Sequence, residues 1–417
     1  MASGDGGPPY VVRPPTAVLT RGFDPRLSVG SARPAVFRSS TYVFSTPEAA
    51  ERAFSIALGR AKPDPGENVE LIYARLSHPN AEILEDQIVP LEREATSAAV
   101  FNSGMAAIST VFLTFCRPGT RFVYSTPVYG GTQHFIHQML EPLGVHGVGV
   151  PAGDTAALVR AIGETPDLSL VFLETPANPT LVMCDLQACT RAAAARAQRP
   201  LVVADNTFLG PVFQSPLGLG LDLVVYSATK FLAGHSDMLG GVVLGRDAQL
   251  IATLRGTRAV LGNILQPDEC WSLDSRLPTV DLRMVRQSKN AQRVAEALVG
   301  HRAIATVHYP SLFRDPEQVR IRDAQALHPG SVLSLDLRGG KPAAFDFLRR
   351  LTIARNAVSL GGVESLACHP ATTTHSELSA EELAQNGITP GLVRISIGVE
   401  HYRDLLDDFR AALDALG

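Results

Sequence analysis

Cysteine and lysine are the scarce residues of this chain. Five cysteines (Cys116, Cys184, Cys189, Cys270 and Cys368) are scattered through 417 residues. They are too few, odd in number and too dispersed for a disulfide framework, and they fit a reducing compartment. Only four lysines occur (Lys62, Lys230, Lys289 and Lys341). With 37 basic against 41 acidic side chains the net charge is −4, so no global basic surface draws nucleic acid or an anionic membrane. Long apolar runs are missing too. The nearest, Ala95–Cys116, carries no charge, but Asn102-Ser103-Gly104 interrupts it and Ser and Thr dilute it. A strand, a turn and a buried helix are expected there rather than a membrane span. No Asn-x-Ser/Thr acceptor exists, because Asn178-Pro179-Thr180 carries the forbidden proline. The Gly- and Pro-rich stretch Met1–Thr16 has no apolar core of a signal peptide and reads as a flexible arm. A cytoplasmic protein is the expectation.

What is present is ample apolar material. Apolar residues make up 45% and charged residues 19%, which excludes bulk disorder, and the length suits two or three domains. Short β-rich runs alternate with helical patterns from about residue 95 to 245. Strands are expected at Ala98–Phe101, Phe122–Tyr124, Val145–Val150, Leu168–Leu173, Leu201–Ala204, Leu223–Tyr226 and Val242–Leu244. Helices are expected at Gly131–Leu140, Thr155–Ile162 and Leu186–Gln198. Continuous apolar runs indicate a mostly parallel sheet covered on both faces. Asp268–Val299 reads as mostly helical. Strands Val332–Leu337 and Val393–Ile397, with helices Pro342–Leu351 and Arg403–Leu416, suggest a smaller α+β domain. The expected division is an N-terminal arm and intersubunit segment (1–65), an α/β domain (66–265) and a C-terminal α+β domain (266–417).

Chemistry concentrates between Val202 and Gly241. An apolar strand ends in Asp205-Asn206-Thr207, and another ends in Ser227-Ala228-Thr229-Lys230. In open α/β sheets the C-terminal strand edge is where ligands bind. A lysine directly after a buried strand is poorly placed for an ordinary solvated one. It suits a Schiff-base lysine, whose amine must be neutral to attack an aldehyde and whose pKa falls on desolvation. An aspartate on a neighbouring strand end can pair with a protonated pyridine nitrogen, as pyridoxal phosphate requires to act as an electron sink. Ser227 and Thr229 can hydrogen-bond its phosphate. Phe101-Asn102-Ser103-Gly104-Met105 follows a strand and opens a helix, so backbone N–H groups there suit an anion. Tyr129, just before Gly130-Gly131, can stack on a planar ring.

These pieces occur in one order. Tyr73-Ala74-Arg75, Ser103-Gly104-Met105, Tyr129-Gly130-Gly131-Thr132, Glu174-Thr175-Pro176-Ala177-Asn178-Pro179-Thr180, Asp205-Asn206-Thr207, Ser227-Ala228-Thr229-Lys230, Ser359-Leu360-Gly361-Gly362 and Arg394-Ile395-Ser396-Ile397-Gly398 follow one another along the chain. In this the chain resembles the Cys/Met-metabolism pyridoxal phosphate enzymes: cystathionine γ-synthase, cystathionine γ-lyase and methionine γ-lyase. The resemblance implies a fold-type-I pyridoxal phosphate enzyme. Lys230 would hold the cofactor as a Schiff base and move the Cα proton, Asp205 would pair with the pyridine nitrogen, and Tyr129 would stack on the ring and protonate the leaving group. Ser103, Gly104, Met105, Ser227 and Thr229 would form the phosphate site. Tyr73 and Arg75 would complete that site from a neighbouring subunit, so active sites would be shared in a homo-oligomer, a dimer at minimum and a dimer of dimers in the family's pattern. Arg394 would clamp the substrate carboxylate, helped by Asn178 and Ser359.

Three departures bear on the substrate. Some methionine γ-lyases carry a cysteine where this chain has Gly131, which leaves room beside Tyr129 for a bulkier γ-substituent. The residue before the Ser-Leu-Gly segment is a glutamate in typical cystathionine-handling enzymes and Val358 here. The stretch between Ala53 and Tyr73 is longer than usual. The reading is therefore γ-elimination of the methionine γ-lyase kind. The alternatives are γ-replacement (an O-acylhomoserine sulfhydrylase or a cystathionine γ-synthase-like transferase) and cystathionine γ-lyase. The pairs His134/His137, His369/His375 and Cys184/Cys189 lack the partners of a metal site, and none is expected. Ser227-x-x-Lys230 also matches the S-x-x-K of penicillin-recognising enzymes, but no Lys-Thr-Gly or Ser-Asp-Asn accompanies it.

Overall fold

The computed structural model describes residues 12–416. Of the arm expected at Met1–Thr16, the first eleven residues lie outside the described part, and a short helix, Pro14–Thr20, follows. The larger sheet has seven strands: β1 Ser97–Phe101, β2 Arg121–Thr126, β3 His146–Pro151, β4 Leu168–Glu174, β5 Leu201–Asp205, β6 Leu223–Ser227 and β7 Gly241–Gly245, in the order β1-β7-β6-β5-β4-β2-β3. The run β3-β2-β4-β5-β6 is parallel, and β7 is antiparallel to both β6 and β1. All seven lie where the apolar runs predict them, a residue or two longer at most ends.

The runs are continuous because alternate residues serve two cores. Ala99, Phe101, Phe122, Phe172, Val203 and Val225 face the helices Gly104–Phe115 and Ala248–Leu261. Val123, Val171, Leu173, Val202 and Ala204 face Thr155–Glu164 and Leu186–Ala194. A strand buried on both faces leaves no polar position to mark its pleat. The crossover helices begin at side-chain caps: Ser103 accepts from Ala106 N–H at 3.0 Å, Asp154 from Ala157 at 2.8 Å and Asp185 from Ala188 at 2.8 Å. The charge-free window is strand β1, the turn at Asn102–Ser103 and the buried helix Gly104–Phe115. Among the described residues no helix is long and apolar enough to cross a membrane.

The second sheet has five strands: β8 Ile304–His308, β9 Val332–Leu337, β10 Arg355–Asn356, β11 Leu366–Cys368 and β12 Leu392–Ser396, in the order β10-β11-β12-β9-β8. Helices Gly340–Arg350 and Tyr402–Asp414 pack on it through Phe347, Leu405 and Phe409. The long helix Val280–Leu298 joins the two units. Its Val280 and Met284 sit in the core shared with β1, β6 and β7, and its Ala291, Val294 and Leu298 in the C-terminal core. Sequence reading misses β8, the two short strands, and the helices Pro14–Thr20, Pro47–Ala57, Pro79–Ile88, Ala248–Leu261, Pro316–Gln325 and Ala380–Gln385. The helix expected to reach Gln198 ends at Ala194.

One buried charge cluster ties the helix Pro79–Ile88 to the sheet. Glu85 is buried and pairs with buried Arg258 at 2.5 Å and with Arg255 at 2.8 Å, while Arg258 also donates to Val100 O at 2.6 Å. Replacing Arg258 with alanine leaves Glu85 the half-exposed Arg255 as its one cationic partner among the described residues, beside the Val100 N–H. Removing one partner of a buried pair costs about 3–5 kcal/mol, and the remaining arginine places Arg258→Ala at the lower end. Chemical denaturation should show that loss, and a change below 1 kcal/mol would contradict it.

Candidate active site

Strands β4, β5 and β6 end side by side, and their last residues open on one cavity of about 280 Å³. Glu174 stands opposite Asp205 in the β4–β5 register. Thr207, two residues past β5, donates to Asp205 Oδ1 from its N–H at 3.0 Å and its hydroxyl at 2.6 Å. The same hydroxyl accepts the N–H of Ser227 at 2.9 Å, so one threonine clasps the ends of β5 and β6. Burial raises the Asp205 carboxyl pKa, against the pull of Thr207.

Lys230 follows β6 in a turn closed by Lys230 N–H to Ser227 O at 3.1 Å and Gly234 N–H to Lys230 O at 2.7 Å. Its amine donates to Ser359 Oγ at 3.1 Å. Burial, with the nearby Arg394 cation, lowers its pKa to about 8. A neutral amine is then accessible near neutral pH, as a nucleophilic lysine requires. Gly361 lies against this turn with φ +81°, and a Cβ there would stand 2.7 Å from Phe231 N and 2.9 Å from Lys230 C. Only glycine suits both the conformation and the closeness.

Gly104 opens its helix so near β6 that a Cβ would lie 2.7 Å from Ser227 Oγ. Ser103 spends its hydroxyl as the helix cap, and Thr229 exchanges hydrogen bonds with Gly240 through its hydroxyl at 3.0 and 3.2 Å. What Ser103, Gly104 and Met105 present is a helix N-terminus. Across the cavity, Arg394 on β12 is 2% exposed. It donates to Asn178 Oδ1 at 3.1 Å, Val358 O at 2.7 Å and Ser359 O at 3.2 Å. Tyr129 is 42% exposed at the rim. A Cβ on Gly131 would stand 2.7 Å from its ring, so the tyrosine ring itself takes up the room that Gly131 leaves.

Of the residues expected from sequence, Lys230, Asp205, Tyr129, Ser103, Gly104, Met105, Ser227, Thr229, Arg394, Ser359, Asn178 and Val358 all line this one cavity. Tyr73 and Arg75 do not. Arg75 hydrogen-bonds Ala259 O and lies 5.9 Å from the Tyr73 ring, which is 41% exposed. Sequence reading gave no role to Glu174, Thr207 or His375, although the first two stand inside quoted segments. The Asp-x-Thr spacing was the available signal for Thr207, since an Asp side chain readily accepts from the N–H two residues on. His134 pairs with Glu377 at 2.9 Å and His137 with Glu141 at 2.9 Å. Among the described residues no His/Cys/Asp/Glu group suits a metal ion. All five cysteines are buried and free.

A strand-end lysine facing a buried aspartate, on a mostly parallel sheet with a smaller C-terminal sheet domain, defines a fold-type-I pyridoxal phosphate enzyme. The profile of the family "Cys/Met metabolism PLP-dependent enzyme" matches residues 15–414, and the chain belongs to that family. It is 37% identical over 401 residues to an L-methionine gamma-lyase of Pseudomonas putida, covering 96% of this chain and 97% of that one. It is 38% identical over 341 residues to a cystathionine beta-lyase of Bacillus subtilis, covering 82% and 85%. A crystal structure of cystathionine gamma synthase from Xanthomonas oryzae pv. oryzae superposes with a TM-score of 0.87 at 32% identity, covering 97% and 98%. The family's cofactor is pyridoxal 5'-phosphate, and the residues here fit it. A buried carboxyl with no arginine or lysine partner among the described residues suits a pyridinium. The helix N-terminus at Gly104, where a Cβ would fill the gap to Ser227, suits a phosphate.

His375 packs beside this site, fully buried. Burial, with Arg394 next, lowers its pKa from 6.5 to about 4. An imidazole with a lower folded pKa takes up its proton more readily once unfolded. Stability is therefore lost as pH falls from about 6.5 to about 4, by about 3 kcal/mol when complete. His375→Asn, neutral throughout, should flatten that fall in denaturation curves between pH 7 and pH 4. An unchanged slope would show that His375 does not carry it.

Proposed function

We propose that this chain catalyses pyridoxal phosphate-dependent elimination at the γ-carbon of a sulfur amino acid, in the manner of a methionine γ-lyase. The observation that carries the reading is Val358. Its side chain, 54% exposed, borders the cavity beside Tyr129, and the backbone carbonyl of the same residue holds Arg394. An apolar rim suits a thioether methyl or an acyl ester. It offers no partner for the distal amino group of cystathionine, which an acidic residue would attract in a partly desolvated pocket.

When bound, the cofactor supplies the electron sink. Asp205 keeps its ring nitrogen protonated. Ser103, Gly104, Met105, Ser227 and Thr229 hold its phosphate, with Tyr73 and Arg75 from a neighbouring copy. Arg394 and Asn178 fix the substrate carboxylate, with Ser359 beside them. Lys230 Nζ would withdraw the proton from Cα and, once neutral again, one from Cβ, whose electron pair forms the Cβ–Cγ double bond as the Cγ–S bond breaks, while Tyr129 Oη would give a proton to the departing sulfur. A second reading, γ-replacement, draws support from Gly131, because a residue without a side chain lets the Tyr129 ring lie back against the helix start. We read the protein as a cytoplasmic homotetramer, with residues 1–65 as arm, 66–265 as cofactor domain and 266–417 as C-terminal domain. The buried free thiols agree with a reducing compartment.

The decisive assay offers methionine, cystathionine and O-acylhomoserines, each with and without thiol, and identifies products. We expect methionine or an O-acylhomoserine to exceed cystathionine in kcat/KM. Val358→Glu should move the ratio toward cystathionine by about 1–3 kcal/mol. A strong wild-type preference for cystathionine would remove Val358 as selector.

Sharing of sites is tested by complementation. Arg75→Ala and Lys230→Ala are each expected to be inactive. Unfolded and refolded together, they should form mixed dimers with one intact site and regain part of the activity. Mixed dimers with no recovery would mean that Arg75 serves its own chain.

A further inference from the structure

Glu174 ends strand β4 buried on the cavity floor, opposite Asp205. Its two oxygens are divided between two segments. Oε2 accepts the N–H of Tyr129 at 2.7 Å, and Oε1 accepts the N–H of Asn178 at 3.1 Å. Its own N–H donates to Ser125 Oγ at 2.9 Å, which ties β4 to β2 at the same level. Asn178 passes the connection on, because its Oδ1 accepts from Arg394. One carboxyl therefore links the rim residue proposed to face the cofactor ring to the residues proposed to hold a substrate carboxylate. Both N–H groups leave regular structure at this point, and buried N–H groups of that kind need an acceptor. No arginine or lysine forms an ion pair with Glu174 among the described residues. Burial, then the neighbouring Asp205, raises its pKa, with both N–H donors and Arg394 acting the other way.

We infer that Glu174 is a positioning residue: it holds the Tyr129 ring and the Asn178–Arg394 clamp in one fixed relation, so that the ring plane and the substrate carboxylate are set together. The inference rests on the roles given above to Tyr129, Asn178 and Arg394. Its geometric basis is that Tyr129 and Asn178 lie 45 and 4 residues from Glu174 along the chain and meet on the same side chain. Glutamine at this position keeps the shape but turns an NH2 group toward one of the two N–H donors. Aspartate keeps the charge but reaches less far.

The test compares wild-type holoenzyme with Glu174→Gln and Glu174→Asp. The readouts are melting temperature, cofactor content, visible circular dichroism of the bound cofactor, and the dissociation constant of glycine, an amino acid with a carboxylate and no leaving group. Glu174→Gln should fold and hold its cofactor. Its visible dichroism should fall to half or less, and glycine should bind about tenfold more weakly, the scale of one lost hydrogen bond to a charged group. Glu174→Asp should lie between the two. A residue that merely stabilises the fold would move the melting temperature and leave dichroism and glycine affinity alone. The inference is overturned if Glu174→Gln matches wild type within twofold in both optical measurements, or if neither variant folds. Glycine titration does not depend on the leaving group. A holoenzyme that cleaves no sulfur amino acid would thus sink the proposed reaction while this comparison still decides Glu174, and a wild type that binds no cofactor would overturn both.

Discussion

Everything in this site follows from placing charge where a parallel sheet has no water to offer. Three strand ends deliver Glu174, Asp205 and the Lys230 turn to one cavity, where the two carboxyls are buried and the lysine is half-buried. Burial disfavours whichever form is charged, so it raises the two carboxyls and lowers the amine. The fold does not relieve this by pairing them with one another: Lys230 donates to Ser359, and Asp205 is held by the neutral Thr207. A ligand with a cationic ring nitrogen and an aldehyde answers both groups at once.

The C-terminal unit supplies the opposite wall and orders it beforehand. Arg394 projects from the middle of a five-stranded sheet, and its guanidinium is already held by two backbone carbonyls and Asn178. Those bonds leave little side-chain freedom to be lost on binding the carboxylate proposed for it. Gly361 plays the complementary part. It brings the backbone after Ser359 against the backbone of Lys230 and Phe231, closer than any side chain permits. The cavity is therefore bounded by two units whose spacing is set by direct backbone contact.

How much of this was legible in the sequence depends on how many faces an element buries. Six of the seven strands of the large sheet stood out because both faces are apolar, and the edge strand β3, with only Val150 fully buried, stood out by its alternating valines. β8 did not, since only Ile304 of its five residues is fully buried. Helix Pro79–Ile88 was hidden by its composition, for Asn80, Glu85 and Gln87 are polar residues buried through hydrogen bonds that periodicity cannot reveal. Lys230, Asp205 and Arg394 were singled out by their places at strand ends and in ordered segments, and the structure brings all three to one cavity. Glu174 was not assigned, because its role lies in accepting backbone N–H groups from Tyr129 and Asn178, and the first of these contacts arises only on folding. His375 was weighed only as a metal ligand, and its burial against the site is a tertiary fact.

The relatives carry names for γ-elimination, β-elimination and γ-replacement at 32–38% identity, although this chain's site interior is a single arrangement. An interior that binds the ring, the phosphate and the α-carboxylate treats every amino-acid substrate alike, and such uniform binding does not choose between reactions. Choice must come from groups that meet the atoms which differ between substrates, beyond the β-carbon. In this chain Tyr129 and Val358 are the residues we propose for that choice, since both border the cavity and both are about half exposed. Their backbones are held by the interior, through Tyr129 N–H on Glu174 and Val358 O on Arg394. Side chains at these positions can thus be exchanged at the rim while the cofactor and carboxylate sites keep their geometry. One scaffold can in that way serve several outcomes at the β- and γ-carbons.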